Sequence, residues 1–180
     1  MRLLLDTCVL YPTVMREVLL GAARAGFYTP LWSARILEEW ARASEKLGPV
    51  GRVQAQSEIT LLRTAWPDAE VSPAQGLEDR LWLPDPADIH VLASAIRGNA
   101  EWIVTLNAKD FPRHILAEEG LNRIDSDKLL HGFWTEDPEA MAKVVGEVLA
   151  EANRLSDREW DVRALLKKAR LPRLGKALKA

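Results

Sequence analysis

The sequence predicts an α/β fold, with a mostly parallel central sheet flanked by helices and a helical C-terminal region. Three observations predict it. Short apolar runs such as Leu3-Leu4-Leu5 and Ile103-Val104 end abruptly in polar residues, as buried strands do when they reach a sheet edge. Segments of helical period separate these runs, giving the strand–helix alternation of a parallel sheet. From Ser126 onward the pattern is helical only.

The elements follow in order. Leu3 to Leu5 forms the first strand, with Asp6 at its carboxyl end. A helix follows Pro12, with Val14, Val18, Leu19 and Ala22 on one face and Gly26 as its stop. Phe27 to Trp32 is extended, and Ser33 caps a helix running to about Leu47, where Gly48-Pro49 breaks it. A second helix covers Val53 to Ala65. Trp66 to Asp85 is the most loop-like stretch, interrupted by Pro67, Pro73, Gly76 and Pro84. Pro86 to about Arg97 is helical, and Glu101 to Thr105 is the next strand. A short strand follows near Leu121 to Ile124. Asp137-Pro138 opens an amphipathic helix carrying Met141, Val144, Val145, Val148 and Leu149, and Trp160 to Lys168 forms another. The domain boundary is placed at residue 130, with residues 131–180 as a helical extension.

Composition bounds the function. The chain is 48% hydrophobic and 28% charged, as in globular proteins, and no apolar run approaches the roughly 20 residues that span a bilayer. Met1 to Asp6 is too short for a signal peptide's apolar core, so a cytosolic protein is expected, without a membrane partner. A single cysteine, Cys8, excludes an internal disulfide and a multi-cysteine zinc site. Val162 to Ala180 holds seven basic residues and no acid. Removing those charges from a net of −2 leaves −9 on the first 161 residues. Such a basic tail suits nucleic acid or an acidic partner, and equally a solvated helix face.

The carboxylates carry the chemistry. Asp6 can be a strand-end turn residue, but other acids can converge on its edge, where ligands bind in parallel sheets. Glu38 shares a helix face with Arg35, Arg42 and Glu45, which is the setting of a surface charge. Glu39 instead lies with Trp32, Ile36 and Ala43 on the apolar stripe, where a carboxylate is expensive unless compensated. Asp85 and Asp88 are accounted for by helix capping, yet Asp88 borders the stripe Ile89, Leu92, Ala93 and Ile96 and can reach the sheet edge; Asp85 lies one turn back, outside it. Asp110 follows Asn107 by three residues, and Thr105 can donate its hydroxyl to a neighbouring carboxylate. Asp6, Glu39, Asp88 and Asp110 would form a pocket without lysine or arginine from the same motifs. Such a pocket needs a counter-charge, and all-oxygen ligation suits Mg²⁺ or Mn²⁺. The ion can activate a water and stabilise charge in displacement at phosphorus.

LLLDT, SARILEEWAR, LPDPADIHVLASAI and IVTLNAKDFP resemble, in order and spacing, the motifs of PIN-domain nucleases over roughly residues 1 to 130. The resemblance is closest to VapC-type toxins. It implies a three-layer PIN-like fold and a Mg²⁺- or Mn²⁺-dependent endoribonuclease with RNA as substrate. Such proteins are commonly neutralised by a small antitoxin and often dimeric. The matching acids are Asp6, Glu39 and Asp88. Cys8 stands where the family often has Asn, which puts a hydrogen bond beside the metal in question. The family's fourth acid often sits at the position of Asn107, so either Asp110 serves as fourth acid or Asn107 acts as neutral ligand or water-holder. Thr105 and Asn107 are assigned supporting roles.

Other chemistries fit less well. The haloacid pattern wants a second Asp where Cys8 stands, and no middle-strand phospho-acceptor of a receiver domain is found. His90, His114 and His131 lack metal-ligand spacing and suit surface or packing positions. No glycine-rich phosphate loop is present. The seven tryptophans are expected mostly in the core. A non-catalytic PIN-fold module, binding nucleic acid or a protein through its basic tail, is the alternative from another class.

Overall fold

A computed structural model describes residues 1–178; the tail residue Lys179 lies outside the described residues. The chain runs β1 (Arg2–Leu5), α1 (Thr7–Leu10), α2 (Thr13–Arg24), β2 (Thr29–Ser33), α3 (Ala34–Ala43), α4 (Pro49–Ala65), β3 (Glu70–Val71) and α5 (Gln75–Glu78). It continues through α6 (Ile89–Arg97), β4 (Trp102–Val104), α7 (Arg113–Glu118), β5 (Asn122–Ile124), α8 (Ser126–Glu136), α9 (Pro138–Arg154), α10 (Val162–Lys168) and α11 (Pro172–Ala177). The five strands form one sheet in the order β3-β2-β1-β4-β5. β1 pairs in parallel with both β2 and β4, and β2 with β3, as the strand–helix alternation predicts.

Central position explains β1. Leu3, Leu4 and Leu5 are fully buried, and each such side chain stabilises the fold by about 1.5–3 kcal/mol. The chain divides into two compact units: Met1–Tyr11 with Thr29–Arg123, and Pro12–Tyr28 with the chain from Ile124 onward. In the first, α3 and α6 pack on the strands, burying Ile36, Leu37 and Trp40 from one and Val91, Leu92 and Ala95 from the other. The Ser33 hydroxyl accepts from the Ile36 N–H at 3.2 Å and starts α3 as predicted.

In the second unit, α2 ends where Gly26, at φ +91°, turns the chain. Phe27 N–H then reaches back to Ala22 O and Gly26 N–H to Ala23 O, the Schellman pattern that satisfies the last carbonyls. Phe27 and Tyr28 stack on Phe133, with centroids 4.9 and 5.7 Å away. Buried Asp127 accepts from the Arg173 and Leu174 N–H groups and so starts α11.

Some expectations are corrected. The helix expected from Val53 begins at Pro49, because proline suits the first turn. The stretch from Trp66 to Asp85 contains β3 and α5, each too short to leave a periodic signal. Only Trp32 and Trp40 among the tryptophans are buried; Trp82 is exposed. Among the described residues, no helix is long and apolar enough to cross a membrane.

Candidate metal centre

The register of β1 against β4 sets Leu5 opposite Val104, which brings the next residues, Asp6 and Thr105, together. Asp6 N–H donates to Val104 O at 3.1 Å, and the Thr105 hydroxyl donates to Asp6 Oδ2 at 2.7 Å. Cys8 adds a second tie. Its thiol donates to Asp6 Oδ2 at 3.1 Å while its sulfur accepts from Leu106 N–H at 3.2 Å. Burial, and then the charge of Asp6, pushes the thiol up to about 12, so it stays protonated and able to donate. The hydrogen bond that the Cys8 departure put in question is therefore made, by sulfur.

Glu39 approaches from α3. The Thr7 hydroxyl, in the first turn after Asp6, donates to Glu39 Oε2 at 2.9 Å. His90, from α6, lies almost wholly buried with Nε2 2.8 Å from Glu39 Oε1, although the ring N–H is not aligned for a hydrogen bond. Arg35 stands one turn back, 3.7 Å from the same oxygen. Burial raises the Glu39 carboxyl, but His90, Thr7 and Arg35 together hold it below the ordinary value.

Asp88 sits where the 3-10 turn Pro86–Asp88 passes into α6. Asp85 caps that turn, accepting from Ala87 N–H at 2.9 Å, with Pro86 at its first position as predicted. The same placement carries Asp85 into the centre. Oxygens of Asp85, Asp88 and Asp110 all lie within 4.8 Å of one another. Asn107 Nδ2 donates to Asp88 Oδ2 at 3.3 Å, and Asn107 N–H donates to Thr105 Oγ1 at 3.0 Å. A continuous run of hydrogen bonds thus joins Asp6, Thr105, Asn107 and Asp88. Asp110 is brought back by the turn in which its N–H donates to Asn107 O at 3.3 Å.

The electrostatics are one-sided. Burial pushes the Asp88 carboxyl up to about 6, and the charges of Asp6, Asp85, Asp110 and Glu39 add to it. Burial likewise raises Asp6, against hydrogen bonds from Thr105, Cys8 and the Thr7 backbone, with the Glu39 charge adding to the rise. The pocket is not free of basic residues from its own motifs: Arg35 meets Glu39, and exposed Lys109 stands 3.9 Å from Asp110. Neither forms an ion pair with Asp6, Asp85 or Asp88, and no other described residue does. A donor set of carboxylate oxygens with that charge uncompensated fits a hard divalent cation.

Two of the predicted acids, Asp88 and Asp110, meet in a close trio completed by Asp85, and the others join through bridging groups. Asp88 and Asp110 belong to the close trio; Asp6 and Glu39 act on Asp88 through their charge; Thr105 and Asn107 link the acids. Sequence reasoning left Asp85 outside the site, although its position three residues before Asp88 on a tight turn was a usable signal. Thr7 and His90 were missed because their partner Glu39 comes from another helix.

A parallel α/β sheet with an acidic, all-oxygen centre beyond its strand ends defines the class. The profile of the PIN domain family matches residues 2–109, more than half of the 180-residue chain, and the chain belongs to that family. PIN domains are in general nucleases that use divalent metals, which supports a nuclease-type, hydrolytic function for this chain. Asp110 falls one residue beyond the match. No curated protein and no solved structure matches the chain.

Proposed function

We propose that this chain is a Mg²⁺- or Mn²⁺-dependent endoribonuclease and the toxin of a toxin–antitoxin pair. The observation that carries the nuclease reading is the Asp85–Asp88–Asp110 trio, with the Asp88 carboxyl raised to about 6 by burial and then by its neighbours' charges. Asp6, Glu39, Asp88 and Asp110 hold the cation, and Asp85 joins them. When bound, the ion offsets the carboxylate charge, lowers the pKa of a water and stabilises charge developing at phosphorus. The chain's own residues position these groups. Thr105 fixes Asp6, Asn107 fixes Asp88, and Thr7 with His90 fixes Glu39. Asp6, Asp88 and Glu39 are thus each oriented before substrate arrives, which reduces the reorganisation left for the chemical step.

The finer reading rests on the likeness of four motifs to VapC-type proteins. In it, residues 1–130 are the nuclease domain and 131–180 a helical extension; a small antitoxin neutralises the enzyme in the cytoplasm, and the enzyme is a homodimer. The test is cleavage of RNA by purified protein with Mg²⁺ or Mn²⁺. Cleavage should disappear with chelator and in Asp6→Asn; absence of cleavage, or its survival in Asp6→Asn, overturns the nuclease assignment. For the toxin reading, expression should arrest growth, and co-expression of a short neighbouring open reading frame should restore it. Growth unaffected by active enzyme would refute that part alone.

One observation favours a second reading, a non-catalytic interaction module. Glu39 already has Thr7, His90 and Arg35 as partners without any ion. Under that reading RNA stays intact at every metal concentration.

A further inference from the structure

Several exposed arginines of this protein have acidic partners, although exposed Arg97 and Arg113 have none among the described residues. Arg42 meets Glu38 at 3.2 Å, Arg63 meets Glu70 at 2.6 Å, Arg80 meets Glu119 at 2.6 Å and Arg154 meets Glu151 at 2.7 Å. The last two helices break that habit. Arg163, Lys167, Lys168, Arg170, Arg173 and Lys176 are all exposed, and none forms an ion pair with a described residue. No acid occurs between Val162 and Leu178.

Packing holds these charges together. Leu165, Leu166, Leu171 and Leu174 bury the inner faces of α10 and α11. Gly175 lets the helices close: a Cβ there would stand 3.2 Å from Leu166 Cβ and 3.7 Å from Arg163 Cα. Six like charges are thereby fixed on fourteen residues, residues 163–176. Solvated helix faces ordinarily intersperse both signs, and a block of one sign repels itself unless a counter-charge arrives. The first 161 residues carry −9 and the candidate centre is itself acidic, so neither offers purchase to a polyanion.

We infer that the α10–α11 hairpin binds the phosphate backbone of RNA. The choice of RNA over other polyanions rests on the nuclease reading. Lys168 Nζ lies 4.9 Å over the half-buried Trp160 ring, which Arg158 already covers at 3.4 Å, so the ring is occupied. The lysine and arginine heads therefore recognise phosphates and not bases, and the surface holds RNA without regard to sequence. Binding to such a surface releases counterions and weakens steeply with salt.

The test uses full-length Asp6→Asn protein in chelator, so that binding is read without cleavage. A fluorescent single-stranded RNA is titrated across a range of salt concentrations, and log K is plotted against log[salt]. Four phosphate contacts give a slope of about −2.8. Arg163→Gln, Lys167→Gln, Lys168→Gln and Arg173→Gln together should remove most of that slope and weaken binding at least about tenfold at low salt. A control lacking four paired arginines elsewhere (Arg42→Gln, Arg63→Gln, Arg80→Gln and Arg154→Gln) should keep the parent slope, and matching circular dichroism melts establish that both variants fold. Unchanged affinity and slope in the hairpin variant overturns the inference, as does a parent that binds no RNA or a control that loses as much. An acidic protein captured in place of RNA overturns it too. Failure of the unsubstituted enzyme to cleave RNA bears on the nuclease reading alone, since this binding is measured with cleavage disabled.

Discussion

At the Asp88 carboxylate, burial and the charges of Asp6, Asp85, Asp110 and Glu39 all act in one direction, and they raise it from 3.8 to about 6. A carboxyl raised on folding binds an extra proton in the folded state between roughly pH 4 and 6, so its contribution to stability falls across that window and levels above it. The stability difference between metal-free protein and Asp88→Asn should therefore move in the variant's favour as pH rises through the window. Denaturant melts at pH 4, 5, 6 and 7 would measure it, and a flat difference contradicts the assignment. By the same proton competition, Mn²⁺ should bind more tightly at pH 7.5 than at 5.5, as calorimetry would show. Asp110 and Asn107 are separable as well. Asp110 offers a carboxylate within 4.8 Å of Asp88 and Asp85, whereas the Asn107 amide donates to Asp88 and so positions it. Asp110→Ala should weaken Mn²⁺ binding at least about tenfold and Asn107→Ala less, because removing a charged ligand costs more than removing a neutral support. The reverse order would make Asn107 the ligand. At this scale Asp6 and Asp88 were legible, since each follows or borders an apolar run. Thr7 and His90 were not, because their partner Glu39 comes from another helix; Asp85 was legible by its spacing from Asp88 on one turn, but its capping role accounted for it fully.

Elements in this chain are started and stopped by local chemistry. Ser33, Gly26 and the Asp85-Pro86 pair each do in the structure what their residue types predict. Gly51 differs, because its requirement is tertiary. A Cβ there would collide with Ser44 O and lie 2.9 Å from Leu47 Cβ, where the start of α4 crosses the preceding 3-10 turn. Overpacking a close contact costs about 1–3 kcal/mol, and a backbone carbonyl has less room to yield than a side chain. Gly51→Ala should therefore destabilise by about 3 kcal/mol or more in chemical denaturation. A change below 1 kcal/mol would mean that α4 shifts freely. Nothing in the local sequence marks Gly51 as more demanding than Gly76, which has open space around it. The two-residue β3 escaped for a related reason: its partner Trp32–Ser33 stabilises it, not its own pattern.

Across the whole molecule, charge is divided, with −9 on the first 161 residues and seven basic residues in the remainder. A cation that binds the folded acidic centre and not the unfolded chain should stabilise the protein by mass action, by about 2.7 kcal/mol at a hundredfold excess over Kd. For a chain of this size that corresponds to a rise in Tm of about 5–10 °C. Mg²⁺ or Mn²⁺ should produce such a rise, chelator should reverse it, and Asp6→Asn should abolish it in thermal melts. An equal rise in Asp6→Asn would place the ion elsewhere. The sequence by itself determined the α/β class, the strand ends that carry Asp6 and Thr105, the helix caps, and the separation of acidic body from basic tail. All of these depend on residues near in the chain, through apolar period, turn chemistry and composition. Only the tertiary structure decided that Asp85 enters the trio, that sulfur from Cys8 ties the ends of β1 and β4, and that Glu39 is held by Thr7 and His90. Those outcomes depend on strand register and on which helix faces meet, and neither is encoded within any one segment.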